Sequence, residues 1–289
     1  MDDDMPKSRS LSAWHSTLIA VFIFIVAHAV LLIGLATPGK FVFDEVHYVP
    51  AARQMLLPAS REPVLNPMHP PLGKELIALS IRSFGDNSFG WRYAGTLFGA
   101  LAVAAIYLCG LALFAAQGPA IAAAAIALLN QMLFVQARAA MLDIFALGFG
   151  LLAIAAFMHG FRRQRPQLLF ALAGICFGLS TACTWSGLFP WGTALGIVGL
   201  VRMLQHWRTS FADAKEDDWY HQELWPELSL AQITLCFGVL PILCYVATFV
   251  PLDGWSLTAI AEAQRRIYAD SITTAIPSHT YMSAWPTWP

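Results

Sequence analysis

The chain has 289 residues with 17 basic and 18 acidic side chains, a formal net charge of −1 and a mean hydropathy of +0.59. Hydrophobic residues make up 57% and charged residues only 12%, against about 25% charged in a typical soluble domain. That balance excludes a soluble globular domain, and the lack of a basic patch outside the apolar stretches excludes nucleic acid as a partner.

A membrane-spanning helix needs roughly 20 mostly apolar residues. Stretches of that kind run near 15–36, 92–114, 119–136, 140–160, 167–186, 188–204 and 230–250, which predicts an all-α polytopic membrane protein of about seven spans. The first stretch exceeds the roughly 7–15 apolar residues of a signal peptide, so a retained signal-anchor is expected. Lys7 and Arg9 precede the first stretch, Arg162, Arg163 and Arg165 the fifth, and Arg202, Arg208 and Lys215 follow the sixth. Basic residues collect on the cytoplasmic side, and seven spans with the N-terminus inside put all three groups there. The loop 37–91, the turn Arg138–Asp143 and the tail after 250 then face the other side. Residues 168–201 read as one long helix or two short ones; Trp185-Ser-Gly-Leu-Phe-Pro190-Trp supplies breakers flanked by interfacial aromatics and favours two. Residues 205–229 read as a solvated cytoplasmic loop. The five cysteines (109, 176, 183, 236, 244) lie in apolar stretches without metal-ligand spacing and read as small core residues.

The loop 37–91 holds the densest chemistry. Asp44 and Glu45 are adjacent, and neighbours on a helix point about 100° apart, so the two carboxylates have different tasks. One can face a cavity while the other holds the loop through a basic partner. A helix cap is the simpler reading of such a pair, since acids favour a first turn; a general base raised in pKa at an apolar boundary is the functional one. In Asn66-Pro-Met-His69-Pro-Pro-Leu-Gly73-Lys74 the prolines fix the backbone, and Gly73 permits a tight entry into a helix starting near Lys74. His69 and Lys74 are thereby either held rigidly to meet an anion or simply part of a stiff loop, with Lys74 reaching to water. Arg92, in Trp91-Arg-Tyr93, heads the second stretch as an interfacial anchor or an anion ligand. Arg138 and Asp143 flank the turn between the third and fourth stretches; ionisable groups at that depth point to function, and arginine suits bidentate phosphate contact. The tail containing His279, Tyr281, Ser283, Trp285 and Trp288 reads on spacing alone as an aromatic belt. His69, His47 and Asp44 have donor chemistry for a metal, but no metal-ligand motif is present; no cofactor is implied and a divalent metal stays open.

Taken together these residues resemble the protein O-mannosyltransferase family of GT-C membrane glycosyltransferases. The resemblance rests on the Asp44-Glu45 pair, His69-Pro-Pro-Leu-Gly-Lys74, Arg92, and Ala137-Arg138-Ala-Ala-Met-Leu-Asp143, in order and approximate spacing. The tail is similar, in altered form, to the family's His-x-Tyr-x-Ser segment with its following tryptophans. The resemblance implies a single transmembrane domain over 1–289, a large first outer loop with interfacial helices, and inverting transfer of mannose from a polyprenyl-phosphate-mannose donor to Ser or Thr of a translocated protein. It implies Asp44 as general base and Glu45 as an orienting group. Arg92, Arg138, Lys74 and His69 would stand around the donor phosphate, Asp143 would fix Arg138, and His279, Tyr281 and Trp285 would contact donor or acceptor. A bacterial cell membrane, a catalytic face on the non-cytoplasmic side and pairing into a dimer go with it. Members of the family continue through further spans after the tail segment. Two alternatives follow: a same-fold enzyme glycosylating a lipid or glycan, as aminoarabinose transferases do, and a non-catalytic membrane subunit.

Overall fold

A computed structural model describes residues 13–57, 65–161, 166–211 and 228–273, and among them the regular structure is helical. α1 (Ala13–Leu32) is apolar on all sides, which suits a helix with lipid on one flank and protein on the other. It ends where Gly34 takes a positive φ of 66°. The chain then crosses to α2 (Glu45–Met55) and, after the proline turn, α3 (Leu72–Phe84). Pro71 occupies the position before α3, where a missing N–H costs nothing, and Gly85 at φ 88° stops the helix. Two residues later Asn87 starts α4 (Ser88–Phe114), its side chain accepting from the N–H groups of Phe89 and Gly90.

α5 (Gln117–Leu128) and α6 (Gln131–Ala137) meet at 63°, with Asn130 capping α6 through the N–H of Leu133. α7 (Leu142–Gly160) follows a short turn. α8 (Gln167–Cys183) and α9 (Leu188–Phe211) are separated by the tight turn Trp185–Gly187, so the stretch 168–201 is two helices. Next come α10 (Leu230–Ile233), a π-helical turn (Thr234–Val239), α11 (Leu240–Ala247), α12 (Val250–Asp253) and the amphipathic α13 (Leu257–Thr273). Pro241 accounts for the π turn: its ring cannot donate and crowds the carbonyl four residues back, so the hydrogen bonds shift register.

Each of the seven apolar stretches contains helix. By length and composition 14–32, 88–114, 142–160, 185–207 and 230–252 suffice to span a membrane, and the bent pair α5–α6 makes a sixth if taken as one. α8, at 17 residues, is the short one. α4 and α7 form the centre: α1, α3 and α5 pack on α4, and α8 packs on α7 and on the π turn. The loop helices α2 and α3 pack on each other, and α3 lies against α4, α8 and the start of α7.

Candidate active site

The framework of the site is one buried ion pair. Arg92, in the second turn of α4, is 1% exposed, and Glu45, in the first turn of α2, is fully buried. The guanidinium donates from Nε to Glu45 Oε1 at 2.7 Å and from Nη2 to Oε2 at 2.9 Å. Its remaining donors go to the carbonyls of Leu35, Pro38 and Lys40 at 3.2, 2.8 and 3.0 Å. Glu45 in turn accepts from the N–H of Val42 and, across 95 residues, from the N–H of Ala140, both at 2.9 Å. The pair thus fastens the loop 35–45 to α4 and to the α6–α7 turn. Breaking such a pair by removing one partner typically costs about 3–5 kcal/mol.

This geometry corrects the expectation for Arg92. All five guanidinium donors are committed to protein, so none is left for a phosphate. Of the acidic pair, Glu45 is the carboxylate tied to the loop and to α4.

Lys74 is corrected in the same direction. It lies in the first turn of α3, is 2% exposed rather than reaching to water, and donates from Nζ to the carbonyls of Asn66 and His69 at 2.7 and 2.9 Å. The ammonium closes the proline turn from inside, and burial brings its pKa down to about 8. Asn66 bends the chain with a φ of 51°. Gly73 has no unusual φ; it sits inside α3 because an added Cβ would lie 2.8 Å from Leu142 Cδ2, so its small size lets α3 close on the start of α7.

Asp44 stands on the outside of this framework. It occupies the N-cap position of α2, yet its side chain makes no cap hydrogen bond and is exposed. Four residues on, Tyr48 is buried, with Oη 3.4 Å from Nε2 of the half-buried His69. Burial, then Asp44 and Asp143, push the Tyr48 phenol above its usual range, so it remains an O–H. Burial and then Lys74 hold His69 below the usual imidazole range, against opposing pulls from Asp143 and Asp44. Burial therefore favours the neutral form of the His69 imidazole. These mutual influences bring Asp44, Tyr48, His69 and Asp143 into one electrostatic cluster at the loop end. Tyr48 went unassigned in the sequence; its i+4 spacing from Asp44 on α2 was the available signal.

Arg138 caps the C-terminus of α6 in a half-buried position. Glycines place it there: a Cβ at Gly99 of α4 would lie 2.4 Å from Ala137 Cβ, so only glycine admits α6 this close. The guanidinium carbon lies 4.8 Å from the Phe134 ring centroid. The expected pairing with Asp143 is absent: no ion pair joins the two among the described residues, because Asp143 begins α7 on the side of Tyr48 and His69. Arg138 keeps its donors, and Asp44 and Asp143 keep exposed carboxylates.

An open groove of about 570 Å³ runs from Asn130, Gln136 and Asp143 along the face of α7 carrying Ile144, Leu147, Leu151 and Ile154. From 143 to 154 such a face is roughly 16 Å long. No group of three or more His, Cys, Asp or Glu side chains placed to hold a metal occurs among the described residues. His279, Tyr281 and Trp285 lie outside the described residues.

Fold and site together define a polytopic helical membrane protein whose polar residues gather at one end, over an apolar groove open to the side. Residues 82–253, more than half of the chain, match the family described as dolichyl-phosphate-mannose-protein mannosyltransferase, and the chain belongs to that family. The polyprenol-phosphate-mannose–protein mannosyltransferase of Mycolicibacterium smegmatis is 28% identical over 92% of this chain and 55% of its own length. That of Corynebacterium glutamicum is 30% identical over 63% of this chain and 41% of its own. The S. cerevisiae protein O-mannosyltransferase Pmt1-Pmt2 complex bound to the sugar donor superposes with a TM-score of 0.61 at 21% identity, covering 83% of this chain and 34% of the yeast chain. That likeness establishes the shared GT-C fold. The chain spans about half the length of the curated relatives it matches.

Proposed function

We propose that this chain carries the catalytic loop and part of the donor site of a mannosyltransferase that moves mannose from a polyprenyl phosphate to Ser or Thr of a protein, with inversion. The observation that carries the reading is the split of the acidic pair: Glu45 is wholly consumed by Arg92 and two backbone N–H groups, while Asp44, held rigidly beside it, is exposed and without a cap bond. A fixed carboxylate with free lone pairs is what a general base requires, and proton transfer of this kind typically contributes 10²–10⁴-fold. The relatives' printed names supply the donor and the acceptor class, and the side groove fits the apolar tail of a lipid-linked donor.

In this mechanism the acceptor hydroxyl oxygen attacks the anomeric carbon as its proton passes to Asp44. The bond from that carbon to the phosphate oxygen breaks, and the electron pair leaves with polyprenyl phosphate. Arg138 stabilises the departing phosphate, since its donors are uncommitted and it lies two residues from Ala140, which is bonded to Glu45. Tyr48 and neutral His69 orient the groups around Asp44. Arg92 and Lys74 act by holding the loop, and Asp143 faces substrate instead of fixing Arg138. The chemistry takes place on the non-cytoplasmic face, where the distribution of Lys and Arg puts the loop. Pairing with a second chain is supported by the two-protein composition of the yeast complex and is read out by particle mass in detergent.

The test is transfer from labelled polyprenyl-phosphate-mannose to a Ser/Thr peptide by membranes carrying the chain, with Asp44→Asn alongside. The expected result is labelled peptide from the wild type and a loss of at least about 100-fold in the variant, with its thermal unfolding unchanged. An Asp44→Asn protein that transfers at the wild-type rate removes Asp44 as the base. Label appearing in lipid instead of peptide moves the chain to the lipid-directed reading.

A further inference from the structure

One strained residue has no part in the mechanism above. Among the described residues three that are not glycine take a positive φ: Phe43 at 50°, Asn66 at 51° and Ala115 at 51°. Asparagine enters that region readily, and Ala115 is the C-cap of α4, where a left-handed residue ends many helices. Neither account covers Phe43. It is the second residue of a turn closed by the Glu45 N–H on the Val42 carbonyl at 3.1 Å, and Asp44 follows at φ −78° and ψ 6°. A positive φ followed by that conformation is the type II′ pattern, in which glycine is the ordinary second residue. A bulky side chain at this position is strained.

Packing does not offset the strain. Phe41 and Val42 lean on the core, whereas Phe43 is 68% exposed. An apolar residue just before an N-cap commonly packs on the fourth residue of the helix, here Tyr48; the Tyr48 ring instead meets His69 edge-on. The turn therefore holds a large aromatic ring out of the protein, immediately before the residue read as the base. Consecutive Cα atoms are about 3.8 Å apart, which keeps the ring centre within about 10 Å of the Asp44 carboxylate.

Its neighbours narrow what the ring can meet. Asp44 and His47 are exposed at the same end of α2, so a bilayer covering Phe43 would draw a carboxylate out of water. The groove assigned to the donor's tail is not lined by Phe43. The hydroxyl whose proton passes to Asp44 belongs to the acceptor, so the acceptor chain runs beside Asp44. Its residues follow one another at the same spacing of about 3.8 Å, and a side chain one place from the target hydroxyl comes within reach of the ring. An aromatic face gains most from covering an apolar group.

We propose that Phe43 determines acceptor specificity, its ring packing on an apolar side chain next to the target Ser or Thr. This rests on the reading of Asp44 as the base and adds a feature of the polypeptide that the transferase prefers. The strained turn is what aims the ring outward beside the carboxylate.

The experiment measures binding of two peptides, alike except for Val or Gly next to the one Ser, to the full chain in nanodiscs containing polyprenyl-phosphate-mannose. Wild type is compared with Phe43→Gly and Phe43→Asn; both replacements suit a positive φ, so the turn is kept. The wild type is expected to bind the Val peptide about tenfold more tightly, the effect of partly burying one aliphatic side chain. Both variants should bind the two peptides equally, as weakly as the wild type binds the Gly peptide, with affinity for the lipid donor unchanged. A wild type that binds both peptides alike overturns the proposal without any variant, as does a preference for Val that survives loss of the ring. Mannose transfer followed in the same samples separates the two readings. Transfer without a peptide preference sinks this proposal alone; a preference that depends on Phe43, without transfer, sinks the transferase reading and leaves the peptide contact standing.

Discussion

Arg92 and Arg138 are both single arginines near the ends of apolar helices, and their environments assign them opposite tasks. Arg92 spends five donors on Glu45 and three carbonyls; Arg138 rests on Phe134 with its donors unspent. Arg92→Lys is expected to destabilise the fold by about 3–5 kcal/mol, since lysine cannot span a carboxylate and three carbonyls at once. Thermal unfolding in detergent measures this, and an unchanged melting temperature with a raised donor KM would return Arg92 to the phosphate. The pair Lys74 and Glu75 makes a second prediction at this scale. Burial raises the Glu75 carboxyl to about 7, and its Oε1 has no partner. Between the carboxylate's ordinary value near 4.5 and about 7 the folded state holds a proton that the unfolded chain has released. Stability should therefore fall as pH rises through that window. Lys74, lowered to about 8, acts above it: from about 8 towards 10.5 the unfolded chain holds the extra proton and stability recovers. Glu75→Gln should remove the lower slope and leave the upper one, as a melting-temperature profile from pH 4.5 to 10 would reveal; a profile identical to wild type refutes the assignment.

At the scale of elements, close approach decides the geometry. α8 meets the π turn and α11 through Gly174 and Gly178; a Cβ at Gly174 would lie 1.8 Å from the Cys236 carbonyl oxygen and one at Gly178 2.3 Å from that of Pro241. Small residues four apart are the usual means by which helices in lipid come together. Gly174→Ala should therefore abolish monodisperse folded protein, whereas Gly196→Ala on α9, where a Cβ meets nothing within 4 Å, should be tolerated. Size-exclusion profiles of the two variants compare them directly, and equal behaviour would contradict the packing described. The α2 helix was legible in outline from its first-turn acid, but its consequence was not. Asp44 and Tyr48 share a face because they are four apart, while burial of Tyr48 against His69 depends on a turn 21 residues away.

At the scale of the whole molecule, the loop helices cap the bundle at the end where Asp44, Arg138 and Asp143 gather. His47 is exposed next to that site. A cysteine introduced as His47→Cys should react with a membrane-impermeant maleimide added to the non-cytoplasmic side of sealed vesicles; labelling solely from the other side would invert the topology. The sequence by itself determined the class and the seven apolar stretches. Those depend on composition, length and local spacing, which a chain carries wherever it folds. It also indicated that one acid of the pair would hold the loop. The resemblance pointed to Glu45, but only the tertiary structure supplied its partner, because Arg92 lies 47 residues away in sequence and burial is a property of the packed state. For the same reason the sequence left Arg92 and Lys74 open between anion ligand and structural group; packing commits Arg92 to Glu45 and three carbonyls and buries the Lys74 ammonium on two carbonyls. Tyr48 shared a face with Asp44 by spacing alone, but an ordinary side chain acquires meaning from what surrounds it, and that is set when segments distant in sequence close upon one another.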